Sequence, residues 1–333
     1  MRVCVITLCE AVNYGAFLQA YSMKRFLEKK GHDVVFLKSY SFPMLKTMIW
    51  SLYTYDRKKM EFKGVFRKGY LEAQKLLNKT FKKGPYDLAI IGSDEVWQLR
   101  NRTASPKPCF FGIGIKATKK IVYAACSNNT RTEDIERFEF VKRGLSGLDA
   151  VSVRDKETQE AYAKYVGNVP IVLDPTFLVD VSEFIPQIDY PTEPYIAVYT
   201  YHFDERKIKI VKEFSQRVGM KIVSLGQKFA WCDEGIPCTP FSFLGYLQHA
   251  SYVFTDTFHG TVLSMQLHKE LFVFAQKKKV LRALEEFHME QRNLDASSDA
   301  FEISKQAVDY AAFDKLVNEK KKRSLEYIDT FLS

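Results

Sequence analysis

Residues 255–261, which read TDTFHGT, place a histidine beside glycine and hydroxyl side chains, as in many catalytic or binding sites. They follow the apolar run 252–254 and precede a helical pattern, so the histidine stands at a strand-to-helix turn. The amides and dipole at the start of a helix favour an anion, and an imidazole there can donate a proton or bind a phosphate. The segment therefore makes His259 the candidate catalytic residue, with Asp256 as a candidate base.

Polar residues also follow the apolar runs of the first half of the chain. They are Asn13 with Tyr14 and Gly15, Ser93 with Asp94, Ser127, and Arg154. An arginine at a strand tip can grip a carboxylate or phosphate with its guanidinium fork, although an ion pair with Asp155 or Glu157 explains Arg154 equally well. Residues 13–15 are likewise compatible with an ordinary helix cap. Neither GxGxxG nor GxxxxGK[ST] occurs, so the usual dinucleotide and phosphate-loop sites are not indicated.

The elements that must position these residues are indicated by unbroken runs rich in valine and isoleucine. Such runs are typical of strands buried on both faces of a parallel sheet, whose ligands bind beyond the carboxyl ends of the strands. The predicted strands are residues 3–8, 34–37, 88–91, 121–125, 150–153, 171–173, 196–199, 221–225, 252–255 and 271–274. A helix predicted over residues 16–30 ends at Gly31 and completes a βαβ opening. The predicted fold class is α/β.

A chain of 333 residues suggests two domains. Residues 178–194 contain three prolines among polar residues, which indicates a domain junction. We expect a first Rossmann-like domain over residues 1–180. A second Rossmann-like domain, over residues 181–333, is expected to end in a long helix from about residue 307 to 332.

A basic stretch within the first domain is predicted to be a helical insertion over about residues 40–84. Residues 44–83 hold eleven Lys and Arg against three Asp and Glu, interleaved with aromatic residues. This composition suits an anionic membrane surface or a nucleic-acid backbone. A solvated helix whose apolar face packs on its own domain explains the stretch equally well. No nucleic-acid-binding motif accompanies it, so no nucleic-acid partner is expected.

The chain starts with an apolar run that is too short for a signal peptide, and it lacks the roughly 18 consecutive apolar residues of a spanning helix. Its six cysteines show no CxxC and no zinc spacing. We therefore expect a cytoplasmic protein with reduced thiols and without a metal site.

Seven short segments of the chain, in their order along the sequence, resemble motifs of the bacterial polysaccharide pyruvyl transferase family. They are residues 13–21, 31–32, 91–97, 123–127, 151–155, 174–176 and 255–261. The resemblance implies a glycosyltransferase-B-like fold, with two Rossmann-like domains facing each other across a cleft. It also implies phosphoenolpyruvate as the co-substrate, with no further cofactor. The product would be a pyruvate ketal on a sugar of a lipid-linked or nucleotide-linked surface polysaccharide precursor, such as that of a capsule or exopolysaccharide, and phosphate would leave. A glycosyltransferase of the same architecture with a nucleotide-sugar donor is the rival interpretation.

The resemblance also assigns roles to residues. His259 matches the donor-site histidine of the family, and Arg154 matches a donor-binding arginine. The further donor-binding candidates are Asn13, Tyr14, Gly15, Ser93, Ser127, Gly260 and Thr261, and the acceptor-binding candidates are Trp97 and Thr257. Asp94 or Asp256 is the candidate base for an acceptor hydroxyl.

The sequence departs from the family at one position of the donor site. Thr257 stands where relatives carry an arginine. The cations that can replace it come from the loop after the strand 271–274, and they are Lys277, Lys278, Lys279 and Arg282. With a lipid-linked acceptor, the basic stretch 44–83 is expected to contact the inner face of the membrane.

Overall fold

The computed structural model describes residues 1–10, 13–39, 60–100, 106–201 and 203–332, and of residues 60–67 it describes the backbone only. The described residues of Met1–Thr54, Glu72–Val179 and Asn318–Ser333 form one compact unit, called unit 1 here. Those of Tyr55–Leu71 and Asp180–Val317 form a second, unit 2. Residues 40–59, half of the predicted basic insertion, lie outside the described residues.

Unit 1 contains a sheet of six parallel strands. They are β1 (Arg2–Ile6), β2 (Asp33–Leu37), β3 (Lys79–Thr80), β4 (Tyr86–Ile91), β5 (Ala117–Ala125) and β6 (Ala150–Val153), in the order β3-β2-β1-β4-β5-β6. Strand β1 pairs with β2 on one side and with β4 on the other, so the strand order reverses beside β1. This reversal point is where open α/β sheets bind their ligands.

The described helices of the first half of the chain lie between these strands in sequence. They are α1 (Tyr14–Lys29), α2 (Met60–Lys75), α3 (Thr132–Glu136), α4 (Glu139–Leu145) and α5 (Lys156–Val166), with 3-10 turns at Pro108–Phe111 and Pro175–Phe177. Most of α2, up to Leu71, belongs to unit 2. Helix α1 begins where the Asn13 side chain accepts a hydrogen bond from the Ala16 amide at 3.1 Å. It ends before Gly31, whose φ of 84° is a left-handed conformation that glycine adopts without strain.

Unit 2 contains a second parallel sheet, of five strands. They are β7 (Tyr195–Tyr199), β8 (Lys221–Leu225), β9 (Glu234–Ile236), β10 (Tyr252–Thr255) and β11 (Glu270–Val273), in the order β11-β10-β7-β8-β9. The helices of the second half are α6 (Glu205–Val218), α7 (Pro240–His249), α8 (Phe258–Gln266), α9 (Lys278–Glu286), α10 (Ala300–Ser304) and α11 (Tyr310–Asp329), with 3-10 turns at Val181–Phe184 and Glu290–Arg292. The strand order reverses beside β7, which pairs with both β8 and β10.

The last helix, α11, divides between the units along its length. From Asn318 onward its residues belong to unit 1, whereas the sequence pattern assigns the whole tail to the second domain. The Ser324 hydroxyl accepts a hydrogen bond from the Leu173 amide at 2.9 Å. The Tyr327 hydroxyl donates to the Val122 carbonyl at 2.8 Å. These two bonds attach the end of the chain to the sheet of unit 1.

Nine of the ten predicted strands are present, within a few residues at their ends. The prediction of a strand at residues 171–173 is wrong, because Ile171 forms only a single bridge with Val153. The Val172 amide still donates to the Val153 carbonyl at 2.9 Å, but the chain then enters the 3-10 turn at Pro175–Phe177 and no ladder develops. The strands Lys79–Thr80 and Glu234–Ile236 were not predicted, since runs of two and three residues carry no period.

Candidate active site

Three fully buried polar side chains form a hydrogen-bonded network at the reversal point of unit 1. The Ser93 hydroxyl donates to Gln19 Oε1 at 2.7 Å, and Gln19 Nε2 donates to Thr7 Oγ1 at 3.0 Å. Thr7 Oγ1 in turn donates to the Ser93 carbonyl at 2.9 Å. The ring of bonds ties the ends of β1 and β4 to helix α1. Ser93, a predicted donor-binding residue, therefore has its hydroxyl committed to this internal network.

The loop after β4 turns sharply against β5. Gly92 has a φ of 114°, and a Cβ there would lie 2.1 Å from the Tyr123 carbonyl oxygen, so only glycine fits. Asp94 follows in a left-handed conformation, with a φ of 66°. Its carbonyl accepts a hydrogen bond from the Cys126 amide at 2.9 Å, which fixes the position of its side chain at the carboxyl edge of the sheet.

Arg154 is held at the same edge between two carboxylates. Its Nη1 lies 3.1 Å from Asp174 Oδ2 and 3.9 Å from Asp94 Oδ1. Asp174 is itself fixed, because the amide and hydroxyl of Thr176 both donate to its Oδ1. Burial opposes the charged form of Arg154, but the surrounding acidic groups outweigh it and raise the pKa of the guanidinium. Asp155 accepts a hydrogen bond from the Thr158 amide and caps α5.

Two other predicted residues of unit 1 are buried completely. Trp97 donates from Nε1 to the Phe110 carbonyl at 3.0 Å and stacks on Tyr162 with a centroid distance of 4.5 Å. Its ring has no exposed surface and packs in the core of unit 1, and the acceptor contact of Trp97 stays a prediction. Ser127 is also fully buried, and its amide donates to Thr158 Oγ1 at 2.9 Å.

Asn13 caps the start of α1, which agrees with the helix-cap interpretation of residues 13–15. Asn13 is half-buried and accepts from the Ala16 amide, while Tyr14 and Gly15 are buried. The amides of Tyr14 and Gly15 lie in the first turn of α1, a position that favours an anion. The structure thus fits either an ordinary cap or an anion site at this helix.

In unit 2, a network of threonine hydroxyls builds the start of α8. Thr257 Oγ1 accepts a hydrogen bond from the Gly260 amide at 3.0 Å and caps the helix. Thr255 Oγ1 donates to the Tyr199 carbonyl at 2.7 Å and accepts from the Thr257 amide at 3.2 Å. A Cβ at Gly260 would lie 2.3 Å from Thr255 Oγ1, so this position requires glycine. The turn therefore connects β7, β10 and α8 through hydroxyl groups.

His259 is the second residue of α8 and is 7% exposed. Its ring meets that of Phe258 edge to face, with centroids 5.2 Å apart. Thr261 is fully buried beside it, and its hydroxyl donates to the Thr257 carbonyl at 2.9 Å. His259 thus lies in the first turn of α8, where the amides and the imidazole can share one anion.

Asp256 lies between the end of β10 and the cap of α8. Burial raises the pKa of Asp256, and the hydrogen bond from Thr200 and the charges of Lys207 and Lys277 offset only part of that rise. Its Oδ1 is enclosed and accepts no hydrogen bond from any residue that the structure describes. A carboxyl group with a raised pKa is suited to moving protons near neutral pH.

Of the two lysines whose charges lower the pKa of Asp256, the sequence predicted only one as a site residue. Lys277 is one of the four predicted cations, and it precedes α9. Lys279 lies 5.8 Å from the Phe258 ring, and Arg282 pairs with Glu285 at 2.5 Å. Lys207 and Thr200 were not predicted. The signal that points to them is their place after the predicted strand 196–199, which is the strand where the order reverses.

The sequence comparison identifies the class of protein that these two sheet edges belong to. Residues 13–278 match the model of the polysaccharide pyruvyl transferase family. The chain therefore belongs to the polysaccharide pyruvyl transferase family, and it is a transferase. Comparison with curated proteins finds no match.

Solved structures show the same fold at low sequence identity. A UDP-N-acetylglucosamine 2-epimerase is 11% identical with a TM-score of 0.55, over 98% of this chain and 95% of that one. UDP-GlcNAc 2-epimerase from Neisseria meningitidis, bound to UDP-GlcNAc, is 9% identical with a TM-score of 0.53, over 100% and 99%. The enzyme from Methanocaldococcus jannaschii is 10% identical with a TM-score of 0.50, over 96% and 92%. These likenesses confirm the predicted glycosyltransferase-B-like α/β fold class.

Among the residues that the structure describes, no helix is both long enough and apolar enough to cross a membrane. In the same part of the chain, no three His, Cys, Asp or Glu side chains are grouped so that they would hold a metal ion.

Gly92→Ala is expected to destabilise the protein strongly, because the new methyl group would collide with the Tyr123 carbonyl oxygen and the residue would keep a φ that alanine avoids. We expect a loss of more than about 2 kcal/mol in the free energy of unfolding, measured by urea denaturation. The control is Gly219→Ala, where φ is 67° and ψ 30°, in the left-handed helical region, and no atom lies within 4 Å. It should cost only about 1 kcal/mol. Equal losses in the two variants would contradict the steric argument.

Proposed function

We propose that the protein transfers the enolpyruvyl group of phosphoenolpyruvate to a sugar, forming a pyruvate ketal and releasing phosphate. Family membership supports a pyruvyl transfer. The observation that carries the proposal is the edge of unit 2, where His259 in the first turn of α8 accompanies Asp256 and two lysines. Helix amides and ammonium groups suit a phosphate, and the imidazole and the carboxyl group can move protons.

The reaction balances with groups of this kind. A proton adds to the methylene carbon of phosphoenolpyruvate, which becomes a methyl group and leaves an oxocarbenium-like centre on the adjacent carbon. One sugar hydroxyl attacks that centre, the carbon–oxygen bond to phosphate breaks, and a second hydroxyl closes the ketal ring. Of the two hydroxyl protons, one balances the new methyl group and the other leaves with phosphate. The protein must therefore supply cations, an acid and a base.

In unit 2 these roles fall to residues beside the cap of α8. His259 contacts the departing phosphate or donates the proton, with the backbone at Gly260 and Thr261 beside it. Asp256 is the base for an acceptor hydroxyl. Thr257, the next residue of the same loop, contacts the acceptor. Positioning of the reactants and stabilisation of the developing charge typically lower such barriers by several kcal/mol.

In unit 1, Asp94 is the alternative base and Arg154 the donor-binding cation. Arg154 already contacts two carboxylates, at 3.1 Å and 3.9 Å. The longer contact, with Asp94, is the weaker one because Coulomb attraction falls with distance. An anion that binds Arg154 would therefore displace Asp94 while Asp174 stays in place, which would release the Asp94 carboxylate. The first-turn amides of α1 add a second group that favours an anion.

The proposed acceptor is a glycan precursor of a surface polysaccharide, carried by a lipid or a nucleotide. A lipid carrier would place the reaction at the cytoplasmic face of the membrane. The basic stretch 44–83 would then contact anionic lipids peripherally. Residues 40–59 lie outside the described residues, so the support for this contact is the composition of the stretch.

The activity is tested by incubating the protein with membrane-derived glycan lipids or nucleotide sugars and either phosphoenolpyruvate or UDP-GlcNAc. We expect release of inorganic phosphate that depends on both phosphoenolpyruvate and an acceptor, and a mass increase of the glycan that corresponds to a pyruvate ketal. Release of UDP with transfer of a sugar would instead support the nucleotide-sugar glycosyltransferase.

His259→Ala should lower kcat by about a hundredfold or more, because it removes the imidazole that contacts phosphate or donates the proton. The control is His288→Asn, which changes an exposed histidine in a left-handed turn that asparagine tolerates. The control should keep wild-type phosphate release. Near-normal turnover by His259→Ala would remove this histidine from the mechanism.

The pH profile separates the two candidate bases. A base works only when ionised, and the pKa of Asp256 is raised, so kcat/KM should fall on the acid side at a higher pH than an ordinary carboxylate would give. Asp256→Asn should abolish this acid limb together with most of the activity, while Asp94→Asn keeps the limb. A profile in which Asp94→Asn alone loses the limb would assign the base to Asp94.

A further inference from the structure

The first turn of α6 holds a lysine that is buried at the carboxyl edge of unit 2. Lys207 donates from its backbone amide to Asp204 Oδ1 at 3.0 Å, the bond that caps this helix. Its side chain is 9% exposed, although lysine is almost never buried unless it is paired. Because α6 follows β7, Lys207 lies after the strand where the order of the sheet reverses.

The ammonium group of Lys207 is surrounded mainly by aromatic rings. It lies 5.6 Å from the centre of the Phe203 ring and 5.8 Å from that of Phe274. The carboxylate oxygen within 4.0 Å, Asp204 Oδ2, is 3.9 Å away, too far for a hydrogen bond. None of the residues that the structure describes accepts a hydrogen bond from this nitrogen. An anion that reaches this nitrogen would supply the acceptors that the described side chains do not.

The charges around this position favour an anion. The charges of Lys207 and Lys277 both lower the pKa of the Asp256 carboxyl, so both ammonium groups lie close enough to interact with it. Asp204 is half exposed, and water screens its charge. The start of α8 follows Asp256 directly and adds its partial positive charge.

Resting on the proposed function, we propose that Lys207 binds the phosphate group of the co-substrate at the carboxyl edge of unit 2. The phosphate oxygens take the hydrogen bonds that the protein does not supply to this ammonium. The Phe203 and Phe274 rings hold the lysine stem in place, which limits the entropy lost when the anion binds.

Binding is measured on the full-length protein by calorimetric titration with inorganic phosphate and, separately, with phosphoenolpyruvate. Lys207→Met keeps an unbranched stem against the two rings and removes the charge. We expect its dissociation constants for both probes to rise about tenfold or more, the usual loss for a charge-assisted hydrogen bond. Lys207→Arg keeps the charge and should bind both probes within a few-fold of wild type.

The matched control is Lys209→Met, which removes an exposed lysine of the same helix that lies 3.7 Å from Glu213. It should bind both probes like wild type. Thermal unfolding without ligand provides a second readout. Lys207→Met should unfold at or above the wild-type temperature, because an apolar side chain of similar length replaces a largely buried cation, whereas phosphate should stabilise it less than wild type.

The outcomes distinguish this proposal from the proposed function. If wild type binds inorganic phosphate through Lys207 but turns over no phosphoenolpyruvate, the anion site stands and the pyruvyl transfer fails. If phosphoenolpyruvate is turned over while Lys207→Met binds both probes within twofold of wild type, the role of Lys207 is overturned. Absence of saturable binding of either probe to wild type overturns it as well.

Discussion

Both sheets consist of parallel strands that are buried on both faces, and this constraint governs where polar chemistry can occur. Such strands present apolar side chains throughout, so polar and charged groups collect in the loops beyond their carboxyl ends. In each sheet the strand order reverses beside the first strand, at β1 in unit 1 and at β7 in unit 2. The loops that follow these strands and their neighbours β4 and β10 carry Asp94, Asp256 and His259. The edge of unit 1 thus holds carboxylates around an arginine, and that of unit 2 holds a histidine, a carboxyl group and lysines.

The polar groups at these edges serve two purposes. Some are structural ties, since the hydroxyls of Ser93 and Thr257 are committed to internal bonds that shape the loops. Others carry charge that the protein compensates only in part. In unit 1 the Arg154 guanidinium contacts two carboxylates, whereas in unit 2 two lysines act on Asp256, whose pKa is raised by burial. The two edges therefore differ in how closely a cation is paired with a carboxylate, at 3.1 Å for Arg154 and 3.9 Å for Lys207.

The fold followed from the sequence because it depends on patterns that repeat along the chain. Runs rich in valine and isoleucine predicted nine of the eleven strands, and Gly31 marked the end of α1. The two strands that were not predicted have two and three residues, too few for any period. The strand predicted at residues 171–173 failed because Ile171 forms only a single bridge with Val153 before the chain enters the 3-10 turn at Pro175–Phe177. Pairing with a neighbouring strand depends on residues that are distant in sequence, and these leave no local signal.

The sequence by itself determined the family and the residue types at the strand ends, because short motifs such as residues 255–261 keep their order along the chain. Only the tertiary structure decided which of those residues are available for chemistry. Trp97 and His259 both occur in family motifs, yet the first is enclosed in the core and the second lies in the first turn of α8. The environment of Lys207 likewise appears only when the ends of β7, β10 and β11 come together. Burial and charge depend on neighbours that are distant in sequence, and the order of residues alone does not specify them.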